Sequence, residues 1–136
     1  MPARRVQSFE VATAHPEELV DVTARVRAEV ASSGVRDGAV IVYCPHTTAG
    51  ITVQENADPD LRIDLLEALD RLAPRAGAYR HAEGNAHAHV KAALLGSSAT
   101  LFLEGGKLVL GTWQGIYLAE FDGPRRRTLQ VRVLAD

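Results

Sequence analysis

Four of the chain's five histidines, His46, His81, His87 and His89, have the type and spacing to serve one polar small-molecule site centred on a metal ion. The densest supply is Tyr79-Arg80-His81-Ala82-Glu83-Gly84-Asn85-Ala86-His87-Ala88-His89-Val90-Lys91, with three imidazoles close together. Neutral imidazole nitrogens are preferred ligands of zinc and similar divalent ions. The spacing also restricts the set. In a helix His87 and His89 project roughly 200° apart, whereas in an extended segment they share a face. With a helix beginning near Ala86, His89 joins His46 and His81 as the ligand set, and His87 stands at the rim or behind it. The competing reading is that all are ordinary surface histidines.

A second chemical segment is Pro45-His46-Thr47-Thr48-Ala49-Gly50, where a buried strand meets a turn. One imidazole and two hydroxyls can face a cavity there from a rigid base. Alternatively Thr47 and Thr48 bond the turn's own backbone while His46 faces solvent. Cys44 beside His46 raises a nucleophile and base pairing. Against it, a cysteine completing a buried β-branched run is usually a small hydrophobe. In Gly111-Thr112-Trp113-Gln114-Gly115 the glycines suggest bends or close approach, and Gln114 can present an amide to a cavity. Glu120 alternates with apolar neighbours, so it faces either water or a pocket. Asn56 follows a strand and precedes a helix cap at Asp58, which makes it a candidate for ligand contact.

These residues need elements to hold them. A first strand is expected over Val6 to Thr13. A helix is expected from Pro16 to Gly34, since Pro16, Glu17 and Glu18 suit a first turn and Leu19, Val22, Val26 and Val30 recur at helical spacing. Val40 to Cys44 reads as a central strand and Ile51 to Gln54 as a half-buried one. Asp58-Pro59 opens a second helix that runs through Leu72, and a third spans about Ala86 to Leu95, closed by Gly96. Four strands follow, over Ala99 to Glu104, Lys107 to Leu110, Gly115 to Phe121 and Thr128 to Leu134. Gly105-Gly106 and Asp122-Gly123-Pro124 are expected as hairpin turns in an antiparallel meander. Early helices and late strands define an α+β domain.

Length and composition narrow the class. The 136 residues, 46% hydrophobic and 24% charged, match one ordinary globular domain spanning 1–136. A net charge of -2 gives no basic field, and the one dense basic cluster, Arg125-Arg126-Arg127, is short, so nucleic acid is not the expected partner. A single cysteine and the lack of a signal-like apolar start point to the cytoplasm. No apolar run approaches the roughly 20 residues that cross a bilayer, and no membrane partner is expected.

Taken in order, His46-Thr47-Thr48, Asn56-Ala57-Asp58-Pro59, Tyr79-x-His81, Ala88-His89-Val90-Lys91 and Gly111-Thr112-Trp113-Gln114-Gly115-Ile116 resemble the YjbQ family of secondary thiamine-phosphate synthase-like proteins. The likeness covers nearly the whole chain. It implies an α+β fold of antiparallel or mixed, sandwich-like sheets with about three helices, and a homotrimer. It also implies a histidine-rich site near a subunit boundary, with His46, His81 and His89 as the matching imidazoles. The implied activity is a weak joining of the hydroxymethylpyrimidine and thiazole halves of thiamine phosphate.

Displacing diphosphate from a pyrimidine methyl carbon calls for positive charge or a metal at the leaving oxygens and a dry pocket for the cation-like carbon. Arg80 and Lys91 can approach the phosphates, and Thr47 and Thr48 can donate hydrogen bonds. A glycine-rich phosphate cradle and an acidic magnesium cluster are missing. Two functional readings therefore stand. In the first, a divalent metal on His46, His81 and His89, zinc by ligand type or magnesium for the transferase step, polarises a small phosphorylated metabolite. His81, Asn85 and Glu120 then act as catalytic groups, and Thr47, Thr48, Asn56, Arg80, Lys91 and Gln114 bind substrate. In the second, the same pocket binds metal and metabolite without turnover. A third, structural reading makes the histidines glue for the trimer.

Overall fold

The computed structural model describes residues 6–136. Its elements in chain order are β1 (Gln7–Ala12), β2 (Glu18–Asp21), α1 (Thr23–Ser33), β3 (Gly38–Tyr43), β4 (Ala49–Glu55), α2 (Pro59–Leu72), α3 (Ala86–Leu95), β5 (Ser98–Glu104), β6 (Lys107–Leu108), β7 (Gln114–Glu120) and β8 (Arg126–Ala135). A five-stranded sheet in the order β1-β8-β3-β5-β6 faces a three-stranded sheet in the order β2-β7-β4, and every pairing is antiparallel. This is the expected α+β class with sandwich-like sheets and three helices.

Strand β7 explains the layering. All its residues from Gly115 to Glu120 are buried, so side chains on both of its faces must find cover. Ile116 and Leu118 enter the core between the sheets, with Val40, Val42, Ile51, Leu103, Leu129 and Val131, and with Val22, Val26 and Val30 around α1. Tyr117, Ala119 and the following Phe121 face the opposite way, onto Leu65, Leu66 and Leu69 of α2 and Ala88 and Ala92 of α3. The helices α2 and α3 thus form a third layer against the small sheet.

The start of α1 departs from expectation. Residues 18–21 are strand β2 rather than helix, with Leu19 opposite Ala119 and Val20 opposite Leu118. A strand buried on both faces needs a hydrogen-bonded neighbour along each edge, and β2 supplies the edge opposite β4. That tertiary demand overrides a local pattern that fits either element. The helix begins only after the Asp21 carboxylate accepts the Thr23 N–H.

The late strands depart as well. Gly105-Gly106 makes the expected hairpin, both glycines in the left-handed region at φ 56° and 79°, joining Glu104 to Lys107. But β7 pairs with neither β6 nor β8; it crosses to the other sheet, so the expected meander is absent. Asp122-Gly123-Pro124 is accordingly a corner between sheets. Gly123 is required there, because a Cβ would lie 2.4 Å from the His15 carbonyl oxygen, and its N–H donates to Pro16 O.

Helix α2 follows its sequence signals, with Asp58 accepting the Asp60 N–H at 2.9 Å and Pro59 in the first turn. Helix α3 covers the expected residues and ends at Gly96. No helix among the described residues is long and apolar enough to cross a membrane.

Candidate functional site

Helix α3 separates the histidines as its geometry requires. His87 and Lys91, one turn apart, are buried and face inward, while His89 lies on the other side, one turn after Asn85. The His89 ring meets His81 edge to face, with centroids 5.2 Å apart and planes at 78°. The His81 side chain is 44% exposed, and its Nε2 lies 3.7 Å from Glu83 Oε2. His81 is therefore at the surface, on the loop before α3, and His89 is half-buried on the helix's first turn.

Asn85 is the fixed point beside them. Its Nδ2 donates to Asp122 Oδ2 at 2.9 Å, and the same oxygen accepts from Arg125 Nη2 at 2.9 Å. Arg125 Nε closes the corner on Asp122 O. Asn85 Oδ1 is buried and accepts no hydrogen bond among the described residues. A buried carbonyl oxygen without a donor is costly, and this one belongs to the residue that caps the helix carrying His89. Arg80, exposed and adjacent to His81, makes no ion pair among the described residues.

His46 does not join this group. The Thr128 N–H donates to His46 Nε2 at 3.0 Å. Burial and the Arg127 guanidinium hold the ring's pKa below its ordinary value. A neutral ring that accepts at Nε2 carries its proton on Nδ1, which leaves no lone pair for a metal. Among the described residues no three His, Cys, Asp or Glu side chains converge as a metal set. The expected trio thus reduces, within one chain, to the pair His81 and His89.

Glu120, expected as a catalytic group, is fully buried and committed. It accepts from Arg127 through both oxygens, from Thr13 Oγ1 at 2.9 Å and from the Asp122 N–H at 3.0 Å. Burial opposes its charge, yet Arg127, the Asp122 amide and Thr13 together hold its pKa below the usual carboxylate range. Arg127 Nη2 also donates to Thr48 Oγ1 at 2.8 Å, so Thr48 is buried in the same cluster, while Thr47 stays exposed. Glu120 and Thr48 are therefore structural in this arrangement.

Lys91, expected at a phosphate, is fully buried and uses its ammonium on Glu17 Oε1 at 3.0 Å, Asp70 Oδ1 at 2.9 Å and His87 Nδ1 at 3.1 Å. Three donors meet three acceptors, and none is left for a ligand. Burial and the Lys91 charge lower the His87 pKa, so its ring is neutral and accepts. The Lys91 ammonium in turn lowers the Asp70 pKa. His87 stands behind the surface pair, as its spacing anticipates.

Asn56 and Gln114 lie elsewhere. Gln114 Oε1 accepts the Gly111 N–H at 2.8 Å, and Asn56 Nδ2 donates to Gln114 O at 3.3 Å. The Asn56 N–H donates to Trp113 O at 2.8 Å. Both residues lock a turn that presents Trp113, which is 63% exposed rather than core. This turn sits at the start of β7 and Asp122 just past its end, and the strand between them is roughly 20 Å long at about 3.3 Å per residue. One chain therefore does not bring Gln114 and Asn56 to the histidine pair.

Cys44 is not a nucleophile. It is buried, its thiol donates to Ala49 O at 3.5 Å, and burial raises its pKa.

The residues that organise the histidine end but escaped the sequence reading are Asp122, Arg125 and Arg127. Asp122-Gly123 carries a turn signal that hides the carboxylate's second role. The arginine triplet reads as a surface cluster until its alternation along β8 is known, which sends Arg127 inward and its neighbours outward.

Two antiparallel sheets with a pair of helices on the smaller one define a two-sheet α+β class, and the family within that class follows from comparison with known proteins. The family model described as UPF0047 protein YjbQ-like matches residues 7–136, and the chain belongs to that family. It is 47% identical over 128 residues to UPF0047 protein MJ1081 of Methanocaldococcus jannaschii, covering 94% of this chain and 93% of that protein. Identity to UPF0047 protein YugU of Bacillus subtilis is 45% over 130 residues, covering 95% of this chain and 98% of that one. Among solved structures, a yjbq/upf0047 family protein from Clostridium acetobutylicum superposes with a TM-score of 0.93 at 52% identity, over 95% of this chain and 100% of the other. A YbjQ-like protein of unknown function from Sulfolobus solfataricus gives 0.93 at 35% identity, over 97% of each chain.

Proposed function

We propose that the chain is a metal-dependent enzyme acting on a small phosphorylated metabolite at the His81, Asn85 and His89 end of the molecule, with a weak thiamine-phosphate synthase activity. The observation that carries this reading is the edge-to-face pair of His81 and His89, with Asn85 at the start of the same helix and its buried Oδ1 without a donor among the described residues. A divalent metal fits this end in part. His81 and His89 would hold it, but catalytic zinc uses about three protein ligands, so the reading requires a further donor from a second copy of the chain. When bound, the metal would supply Lewis-acid stabilisation of charge on phosphate oxygens.

The chain's own residues would do the rest. In the transferase reaction a carbon–oxygen bond to diphosphate breaks, a carbon–nitrogen bond to the thiazole forms, and diphosphate leaves with the electron pair. Arg80, next to His81 in the chain and exposed, makes no ion pair among the described residues and is available to the leaving oxygens. Asn85, oriented by Asp122, offers its Oδ1 to a donor on the substrate, such as a ring amine. A homotrimer is supported by apolar surface without cover. Phe102, Ala39 and Leu134 form one row across β5, β3 and β8, with Tyr43 on the same face, and Phe102 is 70% exposed.

A non-catalytic binding role is favoured by one observation: Lys91 and Glu120, two charged groups expected to act on the substrate, are consumed internally. Incubation with both thiamine precursors and magnesium separates the two readings. The enzyme reading expects repeated turnover that Asn85→Ala and His81→Ala abolish. Substrate binding with no product after prolonged incubation supports the binding reading instead.

A further inference from the structure

On the side of α3 away from His89, a cavity of about 460 Å³ opens beside the C-terminal half of α2, lined by Glu17, Leu66, Glu67, Asp70, Arg71 and Arg75. Its inner wall is built. Glu17 and Asp70 are fixed by the fully buried Lys91, and Arg75 Nε lies 3.6 Å from Glu17. It is a wide-mouthed surface groove rather than an enclosed pocket, so a ligand there is held by its charged ends.

The charges decide what kind of molecule fits. Three carboxylates line the cavity with two guanidiniums, and Lys91 lies beneath, so the lining is close to neutral overall but strongly charge-separated. A plain anion meets three carboxylates, and a plain cation meets two guanidiniums; neither is selected. Glu67 and Arg71 stand one turn apart on the same face of α2, the spacing at which opposite charges ordinarily pair. Here they make no ion pair with each other or with another described residue, and both are exposed. Leu66 supplies an apolar wall between the charged ends.

We propose that this cavity binds a small zwitterion of amino-acid type, its ammonium taken by Glu67 beside Asp70 and its carboxylate by Arg71 beside Arg75. The site is separate from the histidine pair and does not depend on the function proposed for it. The two share only α3, which turns Lys91 toward the cavity and His89 away from it.

The test is a calorimetric titration of the full chain with unbranched ω-amino acids, from glycine to aminohexanoate, alongside butylamine and butyrate at matched ionic strength. At least one zwitterion is expected to bind saturably, and about tenfold or more tighter than either singly charged analogue, a difference of about 1.4 kcal/mol. Glu67→Gln and Arg71→Gln, both at exposed positions, are each expected to weaken it by about tenfold or more while circular dichroism stays unchanged. The proposal is overturned if no member of the series saturates, if butylamine or butyrate binds as well, or if both variants bind like the parent chain.

Discussion

Glu120 at the end of β7 and Arg127 near the start of β8 belong to different sheets, and their side chains meet in the interior as a two-point ion pair that also gathers Thr13 and Thr48. With side chains 0% and 2% exposed, the pair fixes the corner whose Asp122 orients Asn85. It links the core to the histidine end of the molecule.

Breaking this pair from one side leaves a buried charge without compensation. Glu120→Leu and Arg127→Met are each expected to cost about 3–5 kcal/mol, whereas the two together cost less than either alone. Urea denaturation of the three variants measures this. Additive losses would show that the charges act independently.

Acid should weaken the fold in two stages. His46 and His87 have folded pKa values below their unfolded value of about 6.5. The stability they contribute is complete above that pH and falls as pH drops below it. Glu120 and Asp70 are also depressed, so their contribution is complete above an unfolded value of about 4 and is lost on further acidification. Denaturation midpoints between neutral pH and acid should fall through both windows, and His87→Gln should reduce the slope of the first. A flat profile down to the carboxylate range contradicts a buried, neutral His87 and a half-buried, neutral His46.

The turn carrying Trp113 offers an optical readout, since it holds the chain's one tryptophan. Gln114→Ala removes the acceptor for the Gly111 N–H and is expected to cost about 0.5–1.5 kcal/mol. Fluorescence anisotropy should fall as the indole gains freedom. An unchanged anisotropy would mean that the backbone holds the turn without the Gln114 side chain.

Much of the fold is written locally. The Asp58-Pro59 cap, the Gly105-Gly106 hairpin and the apolar run of β3 each depend on a few adjacent residues, and each forms as its sequence indicates. The opposite directions of His87 and His89 follow from helical spacing alone. Strand β2 does not, because Leu19 and Val22 suit a helix equally well and the deciding partner, β7, lies about a hundred residues away. A separation of 74 residues likewise hides the Glu17 and Lys91 contact, which turns an expected phosphate ligand into a pin between layers. His46 matches the other histidines by type, yet its ring is claimed by the Thr128 backbone, a partner no spacing argument reveals.

The central claim is that His81 and His89 hold a divalent metal at a working site. Its most direct test is the metal content per chain, by mass spectrometry, of protein purified without added metal and then equilibrated with zinc, for the parent chain and for His81→Ala and His89→Ala. Stoichiometric zinc is expected in the parent chain, and its loss in both variants. Equal metal content in all three, or none in the parent after equilibration, would contradict it.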